Sequence, residues 1–323
     1  MEPPFRRVCM ADADDKQTTA DYWSDNLAGS NPFSPQLYWL AVPRVQRRFQ
    51  RQACAGADHP SWVHYCVEAF VRPRTPLARM LSIGCGSGTL ERELYALGAF
   101  VTCDAIDIAP GAIAQARQEA RAIGAEAAIH YRVEDVEHTP LAHQQYDAIW
   151  FNGSLHHVRA LEAVCAQVRQ ALKPDGWLFF HEYVGANHFD FGATQRAAMA
   201  HAFGLIPQRY RRSFVAGHGG QVLDAVLMPD PREVARVDPS EAVRSSDILS
   251  VVRQHFDIVA ENPCGGTLLQ FVLHGIAGNF REEDPGSMVV LEMLFAIEDA
   301  LITSGALRSD FVAVAARPKP LPH

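Results

Sequence analysis

Between residues 78 and 183 the chain alternates short apolar runs with amphipathic stretches of about ten to fourteen residues, the rhythm of a parallel βαβ array. Strands are predicted at Ala78–Ile83, Ala99–Ile106, Ala128–Val133, Tyr146–Asn152 and Trp177–Tyr183. Helices are predicted at Thr89–Leu97, Pro110–Ile123 and Leu161–Leu172. Pro110 stands in the first turn of its helix, where a missing N–H costs nothing. Pro174, Asp175 and Gly176 make the turn into the fifth strand.

The regularity stops after Tyr183. A helix is expected around Gly192–Phe203, then an arginine group (Arg209, Arg211, Arg212) and a glycine-rich turn, Gly217–Gly220, suited to a lid hinge. Helix Ser245–His255, strand Phe256–Ala260, helices Leu268–Ile276 and Met288–Ile302, and strand Phe311–Ala316 follow. Ahead of the array, Trp23, Tyr38, Trp39, Trp62 and Tyr65 anchor short helices. The resulting division is a disordered tail (1–17), a helical cap (18–75), a cofactor-binding core (76–185), a substrate-side lid (186–240), a completion of the core with a helical insertion (241–317) and a tail (318–323). No internal repeat is present.

Composition narrows the class. The 323 residues are 48 % hydrophobic, enough for a sizeable core, and the formal charge of -8 argues against a surface that gathers nucleic acid. The seven cysteines form no CxxC pair, so neither a disulfide framework nor a zinc site is suggested. No apolar run approaches a bilayer span. A cytoplasmic protein acting on a small molecule, with neither membrane nor nucleic acid as partner, is expected. The distal helices leave room for a homodimer, although no heptad argues one.

The densest signal is Met80–Gly98, where a strand runs into Gly84-Cys85-Gly86-Ser87-Gly88 and then a helix. Glycines there let the backbone turn sharply and approach a ligand. The dinucleotide fingerprint would need a glycine where Thr89 stands, and no GK[ST] follows, which excludes a P-loop. Asp107 ends the second strand, where a carboxylate can accept ribose hydroxyls; capping the Pro110 helix is its alternative role. Asp135 follows the third strand and could accept an exocyclic amine, with the Val136 amide near a ring nitrogen. Asn152 ends the fourth strand. His156 and His157 follow it as an adjacent pair whose side chains should diverge on a helix, so no metal is expected.

These elements resemble the class I S-adenosylmethionine (SAM)-dependent methyltransferases. IGCGSG (Ile83–Gly88), Asp107, Asp135, DAIWFNGSLHHV (Asp147–Val158) and LKPDGW (Leu172–Trp177) occur in the family's order. The resemblance implies an α/β, doubly wound seven-stranded mostly parallel sheet, a Rossmann-like fold ordered 3-2-1-4-5-7-6. A helical N-terminal cap and insertions after strands five and six complete it. It also implies SAM at the strands' carboxyl ends, bound by Ser82, Gly84, Cys85, Gly86, Gly88, Asp107, Ile108, Asp135, Val136 and Asn152. Ser82 departs from the pattern, since members commonly carry an acid there.

The distal segments EYVG (Glu182–Gly185), DPSEAVRSSDIL (Asp238–Leu249) and GGTLLQFVLHGIAGNF (Gly265–Phe280) resemble a bacterial subgroup associated with saccharides and secondary metabolites. O-methylation of a small-molecule hydroxyl is the leading expectation, with His156 and Glu182 as candidate bases. N- or C-methylation, and a non-catalytic SAM-binding protein, are the alternatives. Tyr22, Trp23 and Phe33 are placed to close the pocket from the N-terminal side.

Overall fold

The computed structural model describes residues 15–24 and 36–320. Seven strands form one sheet: β1 (Leu77–Ile83), β2 (Phe100–Asp107), β3 (Ile129–Val133), β4 (Tyr146–Asn152), β5 (Leu172–Tyr183), β6 (Phe256–Gly265) and β7 (Phe311–Pro318). Their order is β3-β2-β1-β4-β5-β7-β6. β7 runs antiparallel to both neighbours, whereas β1 to β5 pair in parallel. The expected order is therefore observed. The chain winds outward from β1 to β3, then returns to begin again at β4, so β1 and β4 flank the switch point where such sheets bind ligands.

Strand period explains the two cores. Met80, Cys103, Ala105, Ala148, Trp150 and Phe179 face one side of the sheet. Leu81, Ile83, Ile106, Ile149, Phe151 and Phe180 face the other. Both sides are covered, so β1, β4 and β5 read as continuous apolar runs rather than alternating ones. The helices are α1 (15–24), α2 (Pro43–Ala53), α3 (Trp62–Cys66), α4 (Thr89–Ala96), α5 (Pro110–Ala122), α6 (Leu161–Ala171), α7 (Ala193–Leu205), α8 (Pro231–Val237), α9 (Ile248–His255), α10 (Leu269–Val272) and α11 (Pro285–Thr303). Residues of α2 to α5, α7, α10 and α11 fill the first core, and residues of α6 and α9 fill the second. Trp150 stacks on Phe179 at 4.3 Å in the first core. Truncating either ring there would cost about 3–5 kcal/mol.

Several boundaries differ from the sequence reading, among them the start of β5, at Leu172 rather than Trp177. Helix α1 already includes residues 15–17, inside the stretch expected to be tail, and Thr19 and Trp23 of the same helix bond to Asp238 across the molecule. β6 continues to Gly265, beyond Ala260; its alternately exposed positions and Pro263 disguise an outer strand. The expected helix Leu268–Ile276 is a single turn, with Gly275 at φ 74° breaking it. Pro318 belongs to β7, and the Lys319 amide bonds to His255 O at 3.0 Å. Phe33 and residues 1–14 lie outside the described residues. Among those described, no helix is long and apolar enough to cross a membrane.

Candidate functional site

The turn leaving β1 is built on three left-handed glycines, Gly84 (φ 67°), Gly86 (φ 52°) and Gly88 (φ 81°). Two of them are required by packing. A Cβ on Gly84 would strike Ser154, and one on Gly88 would strike the Tyr131 hydroxyl. Gly86 is different, because a Cβ there would meet no atom within 4 Å. Its bare backbone faces a cavity of ≈ 350 Å³ above the ends of β1 and β4.

Asp107, at the end of β2, holds that turn in place. One carboxylate oxygen accepts the Gly86 amide and the other the Ala109 amide, both at 2.8 Å. Burial raises its pKa, and the two amides pull it back. Ala109 is the N-cap of α5 and no side chain caps that helix, so Asp107 braces the approach to it rather than capping it, and Asp107 also lines the cavity. Ser82, Gly84, Cys85, Gly86, Ile108, Asp135, Val136 and Asn152 line the same cavity. Of the cofactor contacts expected from sequence, only Gly88 is outside that lining.

Asp135 carries partners the sequence did not suggest. Burial pushes its carboxyl up, but Lys16 Nζ at 2.5 Å, His138 Nδ1 at 2.7 Å and the Glu137 amide at 2.9 Å bring it below the usual range. Lys16 also pairs with Glu137 at 2.6 Å. Helix α1 therefore lies across this end of the cavity, contributing Asp15, Lys16, Thr19 and Trp23 to its wall. Trp23, as expected, closes that side, with Tyr22 packed edge-on against it. Nothing in the polar segment around Lys16 marked it for this role.

The cavity is markedly acidic. Asp15, Glu91, Asp107, Glu134, Asp135 and Glu137 line it, against the cations Lys16 and Arg159. Such a field favours a cationic ligand and opposes a pyrophosphate. Glu91, the third residue of α4, is the acid that sequence reasoning missed. It is 0 % exposed, and neither oxygen is engaged in a hydrogen bond of normal geometry. Burial raises its carboxyl to about 7, while the neighbouring Ser82 hydroxyl draws it down.

The two candidate bases separate. Glu182 is 1 % exposed. Its Oε1 accepts the Ser154 and Leu155 amides at 2.8 Å each, and its Oε2 lies 2.7 Å from His156 Nδ1. Burial opposes its charge, but His156 and the amides keep its pKa below normal. Glu182 is not among the residues that line the cavity, and its carboxylate anchors the turn after β4. His156 is held behind the cavity by that bond; burial disfavours its charge, but Glu182 outweighs it and raises its pKa. His157 lines the cavity instead. Burial and the neighbouring His156 lower its pKa, and its Nδ1 lies 2.8 Å from Ser240 Oγ.

The expectation that these histidines diverge is also corrected. Leu155–His157 is one 3₁₀ turn rather than an α-helix, and the two rings lie with centroids 4.2 Å apart, tilted at 38° to each other. Glu241 joins them, so that one ligand atom from each of His156, His157 and Glu241 lies within 4.8 Å of the others. The arginine group is not part of the cavity lining. Arg211 bonds to Ile206 O and Gly204 O, Arg212 bonds to Gly220 O, and Arg209 lies over the Tyr210 ring.

Residues 81–180 match a family described as a methyltransferase domain. Over 108 residues the chain is 33 % identical to malonyl-[acyl-carrier protein] O-methyltransferase of Enterobacter lignolyticus (strain SCF1), covering 33 % of this chain and 40 % of that one. Over 105 residues it is 39 % identical to a ubiquinone biosynthesis O-methyltransferase of Xanthomonas axonopodis pv. citri (strain 306), covering 32 % and 41 %. The chain thus spans well under two thirds of the length of these relatives. A geranyl diphosphate C-methyltransferase from Streptomyces coelicolor A3(2), solved with Mg2+, geranyl diphosphate and S-adenosyl-L-homocysteine, superposes with a TM-score of 0.51 at 14 % identity. That likeness covers 94 % of this chain and 98 % of the other, and it is one of fold.

Proposed function

We propose that this chain, whose residues 81–180 match a methyltransferase domain, is a class I SAM-dependent methyltransferase that binds SAM in the acidic cavity and methylates a small-molecule hydroxyl. The observation that carries the reading is the open backbone of Gly86, facing a cavity whose acids outnumber its cations. SAM carries a sulfonium and an ammonium against one carboxylate, so its net charge suits that field.

The residues present fit the cofactor in order. Asp107 offers its remaining lone pairs to the ribose hydroxyls while its backbone-bound oxygens fix the loop. Ile108 and Val136 flank the adenine position, and Asp135 can take the exocyclic amine once Lys16 yields it. Ser82, Gly86 and Asn152 lie toward the amino-acid end. When bound, SAM supplies an electrophilic methyl group for in-line displacement.

His157 is the base in this reading. It reaches the cavity and its lowered pKa leaves it neutral at pH 7, with Nδ1 oriented by Ser240. His156, bonded to Glu182, positions the turn that carries it. The segments between β5 and β6, and between β6 and β7, wall the acceptor side. A saccharide or secondary-metabolite hydroxyl is the proposed acceptor class, supported by the distal resemblance and by O-methyltransferase names among the relatives. Transfer to nitrogen or carbon would use the same cofactor contacts without needing His157 as a base.

Calorimetric titration of wild type and Asp107→Ala with SAM, S-adenosylhomocysteine and NAD tests the reading. Both adenosyl ligands should bind, and the variant should lose about tenfold or more in affinity, ~1.4 kcal/mol. NAD binding, or no adenosyl binding at all, would overturn it. Methyl transfer to hydroxylated acceptors then separates an enzyme from a binding protein.

A further inference from the structure

Glu91 is an anomaly in the apolar packing of α4. Leu90 and Leu94 beside it are buried as expected of a helix face on a sheet, yet the carboxylate between them is equally buried and unpaired. A buried acid with no partner is costly and persists where something else meets it. Glu91 lines the cavity together with Ser82 and Cys85. The opposite end of the cavity, at Asp135 and Val136, is the nucleoside end in the reading above, and Asp107 stands between. The ligand's amino-acid end must therefore come to the β1–α4 side.

We infer that Glu91 is the counter-ion for the ammonium of the bound cofactor, supplied from helix α4. The inference rests on the cavity being the SAM site. A carboxylate at this place would repel the cofactor's own carboxylate, which fixes which substituent of the amino-acid end turns inward. Binding is then coupled to a proton. With no ligand, burial holds the Glu91 carboxyl at about 7; Asp107 pushes it up, and Ser82 and Arg92 pull it down. Cys85, Cys103 and Tyr131 also face it, and the Glu91 charge raises the pKa of each. Docking an ammonium ionises the group and releases its proton.

The test compares two ligands on the full chain: S-adenosylhomocysteine, which has the ammonium, and 5′-methylthioadenosine, which lacks the amino-acid end. Titrations of wild type at pH 7 in two buffers of different ionisation enthalpy should show about half a proton released with S-adenosylhomocysteine and none with 5′-methylthioadenosine. Glu91→Gln should weaken SAM and S-adenosylhomocysteine alike, about 30-fold or more, and leave 5′-methylthioadenosine within about twofold. Equal proton release with both ligands, equal losses for both, or no loss for either would overturn the assignment while leaving the cofactor reading intact. A loss confined to SAM would place Glu91 at the sulfonium and overturn it as well. If wild type binds neither ligand, the cofactor reading itself fails. The wild-type proton measurement decides the matter even where the variant fails to fold.

Discussion

Glu182 Oε2 lies 2.7 Å from His156 Nδ1, and through that bond one buried carboxylate at the end of β5 fixes the turn that follows β4. The pair titrates from both sides. Glu182 has a lowered pKa, so its contribution is present above the unfolded value of 4.5 and is lost as pH falls through the folded value. His156 has a raised pKa, so its contribution is complete below 6.5 and is lost as pH rises through the folded value. The pair therefore stabilises most between those two pH values. Glu182→Gln should cost about 3 kcal/mol there and flatten the pH dependence of the urea midpoint. An unchanged midpoint across that window would contradict the assignment of Glu182 as an anchor.

The glycine turn separates packing from binding. Gly88→Ala drives a Cβ into the Tyr131 hydroxyl from a left-handed backbone, so it should lower stability by more than the ~1 kcal/mol that the conformation alone imposes. Gly86→Ala bears the conformational cost but meets no protein atom. Its melting temperature should fall only a few degrees, while affinity for S-adenosylhomocysteine falls about tenfold or more. Thermal melts with and without ligand check both variants.

What the sequence reveals and conceals here follows from the range of the signals. The glycine turn, Asp107 and the strands β1 to β5 are local patterns, since apolar runs, turns and strand ends are set by neighbouring residues. Ser82 is visible as a departure, but Glu91 is not. In TLERELYA it is indistinguishable from Glu93, which bonds to Ser61, and only the packing of α4 on the sheet turns Glu91 inward. Lys16 is hidden for the same reason, since its partners Asp135 and Glu137 lie far along the chain. The close histidine pair is concealed because a 3₁₀ turn has the local sequence of a helix start. β6 looks short because alternate exposure and a proline blur an outer strand.

His157 should govern the acid limb of catalysis. Its pKa lies below 6.5, first through burial and then through the charge on His156, so it is deprotonated and competent by neutral pH. The rate at saturating SAM should rise with pH below that point and then level. Saturation removes the separate influence of protons on cofactor binding at Glu91. His157→Gln should abolish the limb and lower kcat by about 10²–10³. Retention of the limb with full activity would favour an acceptor atom that needs no base.

Lys16 makes α1 a latch. Its ammonium meets Asp135 and Glu137 at 2.5 and 2.6 Å, with all three side chains at most 24 % exposed, and Thr19 and Trp23 tie the same helix to Asp238. A nucleoside entering between Asp107 and Asp135 must displace this contact or slip beneath it. Lys16→Met removes the latch while keeping most of the side chain's bulk. Its effect on stability should be under about 1 kcal/mol, because the pair retains some contact with solvent. Entry and exit of S-adenosylhomocysteine should both accelerate, exit by about three- to tenfold, followed by stopped-flow fluorescence of Trp23. Added salt should speed exit more in wild type than in the variant, since the variant keeps only the Asp15–Arg159 pair on α1 while wild type also has the two Lys16 pairs. Equal salt dependence in the two proteins would show that the Lys16 pairs do not govern release.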